Sequence, residues 1–153
     1  MKVLLAAGLV LLAGALAAPL KEGTPRPKPA AEAAVVSYDT LDPAEFNATI
    51  EAARVAGAEW VLDPYQVMTR LLRLWPEPPN RLDLSMSGKG QAPKEMLATA
   101  FVEGLHDDSI SGIWQRVLLK QQPGGAWTVA EQHVAYRCAR GPDMKTYHRD
   151  RCP

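Results

Sequence analysis

Past residue 41 the apolar positions change period once, and that change divides the chain. Leu41-Asp42-Pro43-Ala44-Glu45 opens like a helix. Asp42 suits the cap, Pro43 the first helical position, and Glu45 completes a box-like pattern. Phe46, Ile50 and Ala53 then share one face at helical spacing, and Gly57 marks the stop. Asp63-Pro64-Tyr65-Gln66 repeats the opening. A stripe of Val67, Leu71 and Leu74 follows, widened by Met68 and Leu72. The run Trp75-Pro76-Glu77-Pro78-Pro79-Asn80 ends this second helix. Its prolines lack a donor N–H and bias the residue before them away from helix.

After Asn80 the period becomes two. Leu82, Leu84 and Met86 alternate with Arg81, Asp83 and Ser85, which predicts a half-buried strand. Ser87-Gly88-Lys89-Gly90 and Pro123-Gly124-Gly125 read as turns. Further strands are expected over 96–102, 113–120 and 127–136, with a loop over 104–112. A strict period of two puts His133 in phase with Trp127, Val129 and Glu131. The last two strands should form a hairpin. No helical segment separates the late strands, which argues against a parallel βαβ arrangement. The expected class is therefore α+β: two N-terminal helices packed on an antiparallel meander of about four strands.

Ahead of this pattern lies an apolar run. Lys2 gives a positive start, Val3 to Leu16 carries no charge, and Ala15, Ala17 and Ala18 are small. That order predicts an export signal over 1–17, cut after Ala17. An uncleaved anchor is the competing reading, because about 18 apolar residues just span a bilayer. No Cys follows the run, so a lipid anchor is not expected. Residues 18–37, rich in Pro, Ala and Lys, read as a flexible tail. A single domain over 38–153 is left, in a secreted, periplasmic or cell-envelope protein with no membrane span once the signal is removed.

The two cysteines, Cys138 and Cys152, form an even pair in an exported chain, and the simplest expectation is one disulfide closing the C-terminal loop. Charge changes the picture by exclusion. Lys+Arg and Asp+Glu both number 17, so no strongly basic face for nucleic acid is implied.

Chemistry-bearing residues are densest at His106-Asp107-Asp108, followed by Ser109. Imidazole and carboxylates can hold a divalent metal or move protons. The same residues also close turns, through side chain to backbone hydrogen bonds. His148 and Asp150 sit two apart beside Tyr147, Arg149 and Arg151, in what reads as a solvated loop. Asn47-Ala48-Thr49 matches a glycosylation acceptor but falls inside a predicted helix. No G-x-S-x-G, H-E-x-x-H or C-x-x-C occurs, and no catalytic residue, metal ligand or cofactor is assigned.

Two resemblances rest on the second half of the chain. Gly104-Leu105-His106-Asp107-Asp108-Ser109-Ile110-Ser111-Gly112, then Gly124-Gly125-Ala126-Trp127-Thr128-Val129, then Arg137-Cys138-Ala139-Arg140-Gly141 and a closing Cys152-Pro153 resemble the ending of exported bacterial proteins of uncharacterised function. That likeness covers 104–153 and implies no activity. The order of helices then meander, with Gly-Gly-Ala-Trp-Thr-Val leading the last strand, also resembles the nuclear-transport-factor-like cone fold. Members of that fold often hold small ligands between sheet and helices. Here such a pocket would lie between Val67, Leu71, Leu74 and the inner sheet face. The functional expectation is a non-catalytic binding module whose partner is a small ligand or a cell-envelope component. The alternatives are a small-molecule-binding cone-fold protein, or a hydrolase or metal-dependent enzyme using the His106-Asp107-Asp108 loop.

Overall fold

The structure, a computed structural model, describes residues 34–72, 79–150 and 152. The expected signal over 1–17, most of the tail, Leu74 and Trp75 lie outside the described residues. The order of elements is β1 (Asp39–Leu41), α1 (Ala44–Val55), a 3-10 turn (Glu59–Leu62), α2 (Pro64–Leu72), β2 (Arg81–Gly88), β3 (Glu95–Glu103), β4 (Ile110–Gln121) and β5 (Trp127–Cys138). The fold is α+β, as the change of period implies.

An Asp precedes both helix openings as the sequence implies, but at α1 the cap position falls on Pro43 rather than Asp42, one residue later than expected, while α2 starts at Pro64 as expected. The Ala44 N–H donates to Asp42 Oδ1 at 2.9 Å, and the Tyr65 N–H to Asp63 Oδ1 at 2.8 Å. These bonds satisfy donors that a helix start leaves without a partner. Gly57, with φ of 74°, takes the left-handed conformation that turns the chain out of α1.

The strands form one five-stranded antiparallel sheet in the order β1-β5-β4-β3-β2. Two expectations are corrected here. The strands number five, and the helices are not the first elements, because β1 precedes them. Three residues are too short to show alternation. Thr40 of β1 also pairs with His133 of β5, 93 residues further on, a relationship no local pattern reveals.

The facing of β5 also departs from a strict period of two. Leu118 pairs with Glu131 but Leu119 pairs with Val129, so Ala130 is an extra residue in β5. A bulge of one residue reverses which side chains face the core. Trp127 and Val129 face the helices, while Glu131 and His133 emerge on the opposite side; Gln132 and Val134 turn inward instead.

Helices and sheet enclose the main core. Ile50, Val61, Val67, Met68, Leu71 and Leu72 pack against Ala98, Ala100, Val102, Ile113, Val117, Leu119, Trp127, Val129 and Val134. Asn47 fastens α1 to β5: its Nδ2 donates to the Val129 carbonyl at 2.8 Å, and its Oδ1 accepts the Val129 N–H at 2.9 Å. The side-chain amide thus takes both backbone groups of Val129, beside the bulge. With Nδ2 engaged, Asn47 is not a free glycan acceptor in the folded chain.

Candidate functional site: the outer face of the sheet

The inner side of the sheet is filled. Val67 and Leu71 are fully packed core residues rather than pocket walls. The two buried polar side chains there, Gln115 and Gln132, meet each other, with Gln132 Nε2 donating to Gln115 Oε1 at 3.3 Å. The outer side differs, and its two halves differ from each other.

One half is covered by the C-terminal loop. Cys138 at the end of β5 bonds to Cys152, with Cα atoms 5.3 Å apart. The enclosed loop does not float in solvent, because Tyr147 anchors it. Tyr147 is 0% exposed and packs with Trp114 and Ala135 in a second, smaller core, flanked by Phe101 and Val35. Its ring meets Phe101 edge-on, with centroids 5.8 Å apart, and the Arg137 guanidinium lies 5.5 Å from its centre. The loop backbone joins the sheet: Tyr136 and His148 exchange both hydrogen bonds, at 2.7 and 2.9 Å.

Residues 34–37, which the sequence places in the flexible tail, are tied to the same loop. The Val36 N–H donates to the Tyr147 carbonyl at 2.9 Å and the Tyr147 N–H to the Ala34 carbonyl at 3.1 Å. The Arg149 N–H donates to Ser37 Oγ at 3.1 Å.

Charged groups ring the buried phenol. The Tyr147 hydroxyl donates to Glu103 Oε1 at 3.3 Å, and Arg137 Nη1 reaches the same oxygen at 2.9 Å. Arg81 lies 3.9 Å from Glu103 Oε2 and 2.5 Å from Asp83 Oδ2. Burial, with the Glu103 carboxylate adding to it, pushes the Tyr147 phenol up to about 12. Gly112 makes room for it, since a Cβ there would stand 2.9 Å from the Tyr147 hydroxyl oxygen.

Asp143, Thr146 and His148 form a compact polar cluster in this loop. The Thr146 hydroxyl donates to Asp143 Oδ2. His148 Nε2 lies 3.0 Å from that oxygen and 2.6 Å from Thr146 Oγ1. The backbone N–H groups of Lys145 and Thr146 also donate to Asp143. Hydrogen bonds, led by the Thr146 hydroxyl and the Lys145 N–H, hold the Asp143 carboxyl well below the usual carboxylate range. The cluster resembles a nucleophile, base and acid in composition only. A relay needs the carboxylate on one ring nitrogen and the hydroxyl on the other. Here both sit at Nε2, and the hydroxyl proton points to the carboxylate, not the imidazole. The arrangement locks a loop.

His106, Asp107 and Asp108 are not brought together as a site. Asp107 Oδ1 accepts the Ser109 N–H at 2.7 Å and the Ile110 N–H at 2.8 Å, closing the turn into β4. Those two bonds hold its carboxyl below the ordinary carboxylate pKa. Asp108 is largely solvated, 3.9 Å from Arg140, and His106 is exposed. Among the described residues no group of three or more His, Cys, Asp or Glu side chains could hold a metal.

The other half of the outer face is bare. Alternation from the register places Ser85, Thr99, Arg116 and His133 in one row, then Ser87, Leu97, Leu118 and Glu131, then Glu95 and Lys120. At its β2 end lies an open hollow of about 630 Å³, lined by Ser87, Gly88, Lys89, Lys94, Glu95, Leu97 and Leu118. Half-buried Leu97 and Leu118 make the floor, and the loop over 89–94 makes one wall. That wall sits close, for a Cβ on Gly88 would fall 2.6 Å from Pro93 Cβ. Tyr38, 51% exposed, borders the bare half, its ring 4.7 Å from His133 and 5.9 Å from Trp114. Sequence reasoning missed this surface, because the hollow joins a turn to two strands and no contiguous motif marks it.

No helix among the described residues is long and apolar enough to cross a membrane. The Cys138–Cys152 disulfide fits a protein of an oxidising compartment. Comparison of the chain with protein-family models, with curated proteins and with solved structures gives no match.

Proposed function

We propose that this is an exported, non-catalytic binding module whose working surface is the bare half of the outer sheet face. The observation that carries the reading is the unequal treatment of one face: Tyr147 and the disulfide loop seal half of it, while the hollow over Leu97 and Leu118 stays open. A hollow of this size matches those that take small ligands. The helix-side pocket that a cone fold would use is occupied by core side chains. The Thr146–His148–Asp143 geometry supports a structural loop over a catalytic one. The apolar run over 1–17 and the disulfide support export, to the envelope or beyond.

Site-specific photo-crosslinking in the producing cells tests this reading. A photoreactive side chain at Ser87, on the bare half, should yield an adduct with an envelope component. The same group at exposed Thr49 on α1 should not. Adducts from Thr49 alone, or from neither position, would overturn the proposal.

A further inference from the structure

Taking the bare half as the working surface, we infer that the hollow beneath the β2–β3 turn takes a small amphipathic anion, a single-chain carboxylate, with its chain along Leu97 and Leu118 and its head at Lys89. Floor and rim of the hollow differ in chemistry. The floor is apolar and comes from paired residues near the start of β3 and the end of β4. The rim carries Lys89, Lys94 and Glu95.

These rim charges are not equivalent. Glu95 is met by Lys120 Nζ at 3.1 Å, and Lys94 Nζ donates to Gln121 Oε1 at 2.6 Å. Lys89 makes none of the ion pairs found among the described residues. Arg116, one row further along the outward face of β4, makes none either. The rim's carboxylate is already compensated and its cations are not, so the hollow favours a negative head. An ammonium in solution is well hydrated and waits for a partner at little cost, and a carboxylate gives it a charge-assisted bond. Methylenes laid on the leucine floor supply the apolar part of the affinity. The volume, about 630 Å³, admits one small ligand and suits a free molecule better than a bilayer.

Calorimetric titration of the purified, disulfide-bonded protein tests the assignment. Dodecanoate below its critical micelle concentration should bind at one site, and affinity should rise severalfold from octanoate to dodecanoate. Acetate, which has the head alone, and dodecyl maltoside, which has a neutral head, should not bind. Lys89→Glu should weaken dodecanoate binding about tenfold, the loss of one charge-assisted contact. Arg54→Glu, on exposed α1, should leave it unchanged. No dodecanoate binding, equal binding of dodecyl maltoside, an unaffected Lys89→Glu variant, or tighter binding to phosphatidylglycerol vesicles than to free dodecanoate would each overturn it. If dodecanoate fails while the Ser87 crosslink still forms, the ligand class falls and the surface reading stands. If both fail, both fall.

Discussion

Tyr147 in the disulfide loop donates its hydroxyl to Glu103 at the end of β3, 44 residues earlier, at 3.3 Å. The phenol is sealed from solvent between Phe101, Trp114 and Ala135, so this contact defines the covered half of the outer face. Beyond it, past the Tyr38 ring, lies the hollow over Leu97 and Leu118. Truncating Tyr147 should therefore remove the lid. Tyr147→Ala should cost about 3–5 kcal/mol in urea unfolding, the range for deleting a large buried ring. Tyr147→Phe keeps the ring and should cost about 1 kcal/mol, as one hydrogen bond is lost. Equal costs for the two variants would show that the hydroxyl, not the ring, anchors the loop.

The same phenol makes stability depend on alkaline pH. Its pKa in the folded state is raised to about 12 from 10.0, so the neutral form is favoured in the native state. Its contribution is whole below the unfolded value and is lost as pH rises from 10 to 12. That two-unit window corresponds to about 2–3 kcal/mol. Urea midpoints measured across it should fall in the wild type and stay flatter in Tyr147→Phe.

Asp143 acts at the other end of the scale. Its folded carboxyl lies well below the ordinary value, so its bonds to Thr146, Lys145 and His148 contribute above the unfolded value and fade as pH drops through the folded one. Protection at 143–148, measured relative to the intrinsic exchange rate at each pH, should fall on strong acidification, and Asp143→Asn should already be less protected at neutral pH. Unchanged protection in the variant would show that the loop holds without this cluster.

Asn47 and Val129 give a prediction for the helix layer. Asn47→Ala leaves the Val129 N–H and carbonyl without their partner, and should cost about 1–3 kcal/mol by urea unfolding. Asn47→Asp keeps an acceptor for the N–H but sets a carboxylate oxygen against the carbonyl. It should cost at least as much, and a milder effect would contradict the two-bond pairing.

Legibility in the sequence followed the range of the interaction. Asp42, Asp63 and Gly57 act within one helical turn, so helix starts and stop were readable from neighbours. Leu84 and Met86 alternate over β2 and pack on the core as the period implies, whereas Leu82, on the same face near the strand's start, stays exposed. The Ala130 bulge was not, because a single inserted residue leaves no mark in a composition already mixed with Glu131 and Gln132. It moved His133 from the expected phase to the outer face. Tyr147 looked like part of a solvated, charged loop between Lys145 and Arg149. Its burial depends on room left by Gly112 and on Val35, both distant in sequence. The Cys138–Cys152 pairing follows from there being two cysteines, whereas the Leu97–Leu118 floor exists only through the register of β3 on β4.

Breaking the bridge should uncover the loop's dependence on it. Closing a ring with a sequence separation of 14 contributes about 3 kcal/mol through the unfolded chain. Reduction with dithiothreitol should lower the urea midpoint accordingly and shift Trp114 emission to longer wavelength as Tyr147 lifts away. Emission that does not move would mean that Tyr147 stays docked without the disulfide.

Hydrogen exchange on the purified protein, with and without an envelope extract of the producing cells, locates the working surface residue by residue. Added protection is expected at 85–89, 94–99 and 116–120, on the bare half of the outer face, with none on α1 or α2. Protection confined to the helices, or no change anywhere, would contradict it.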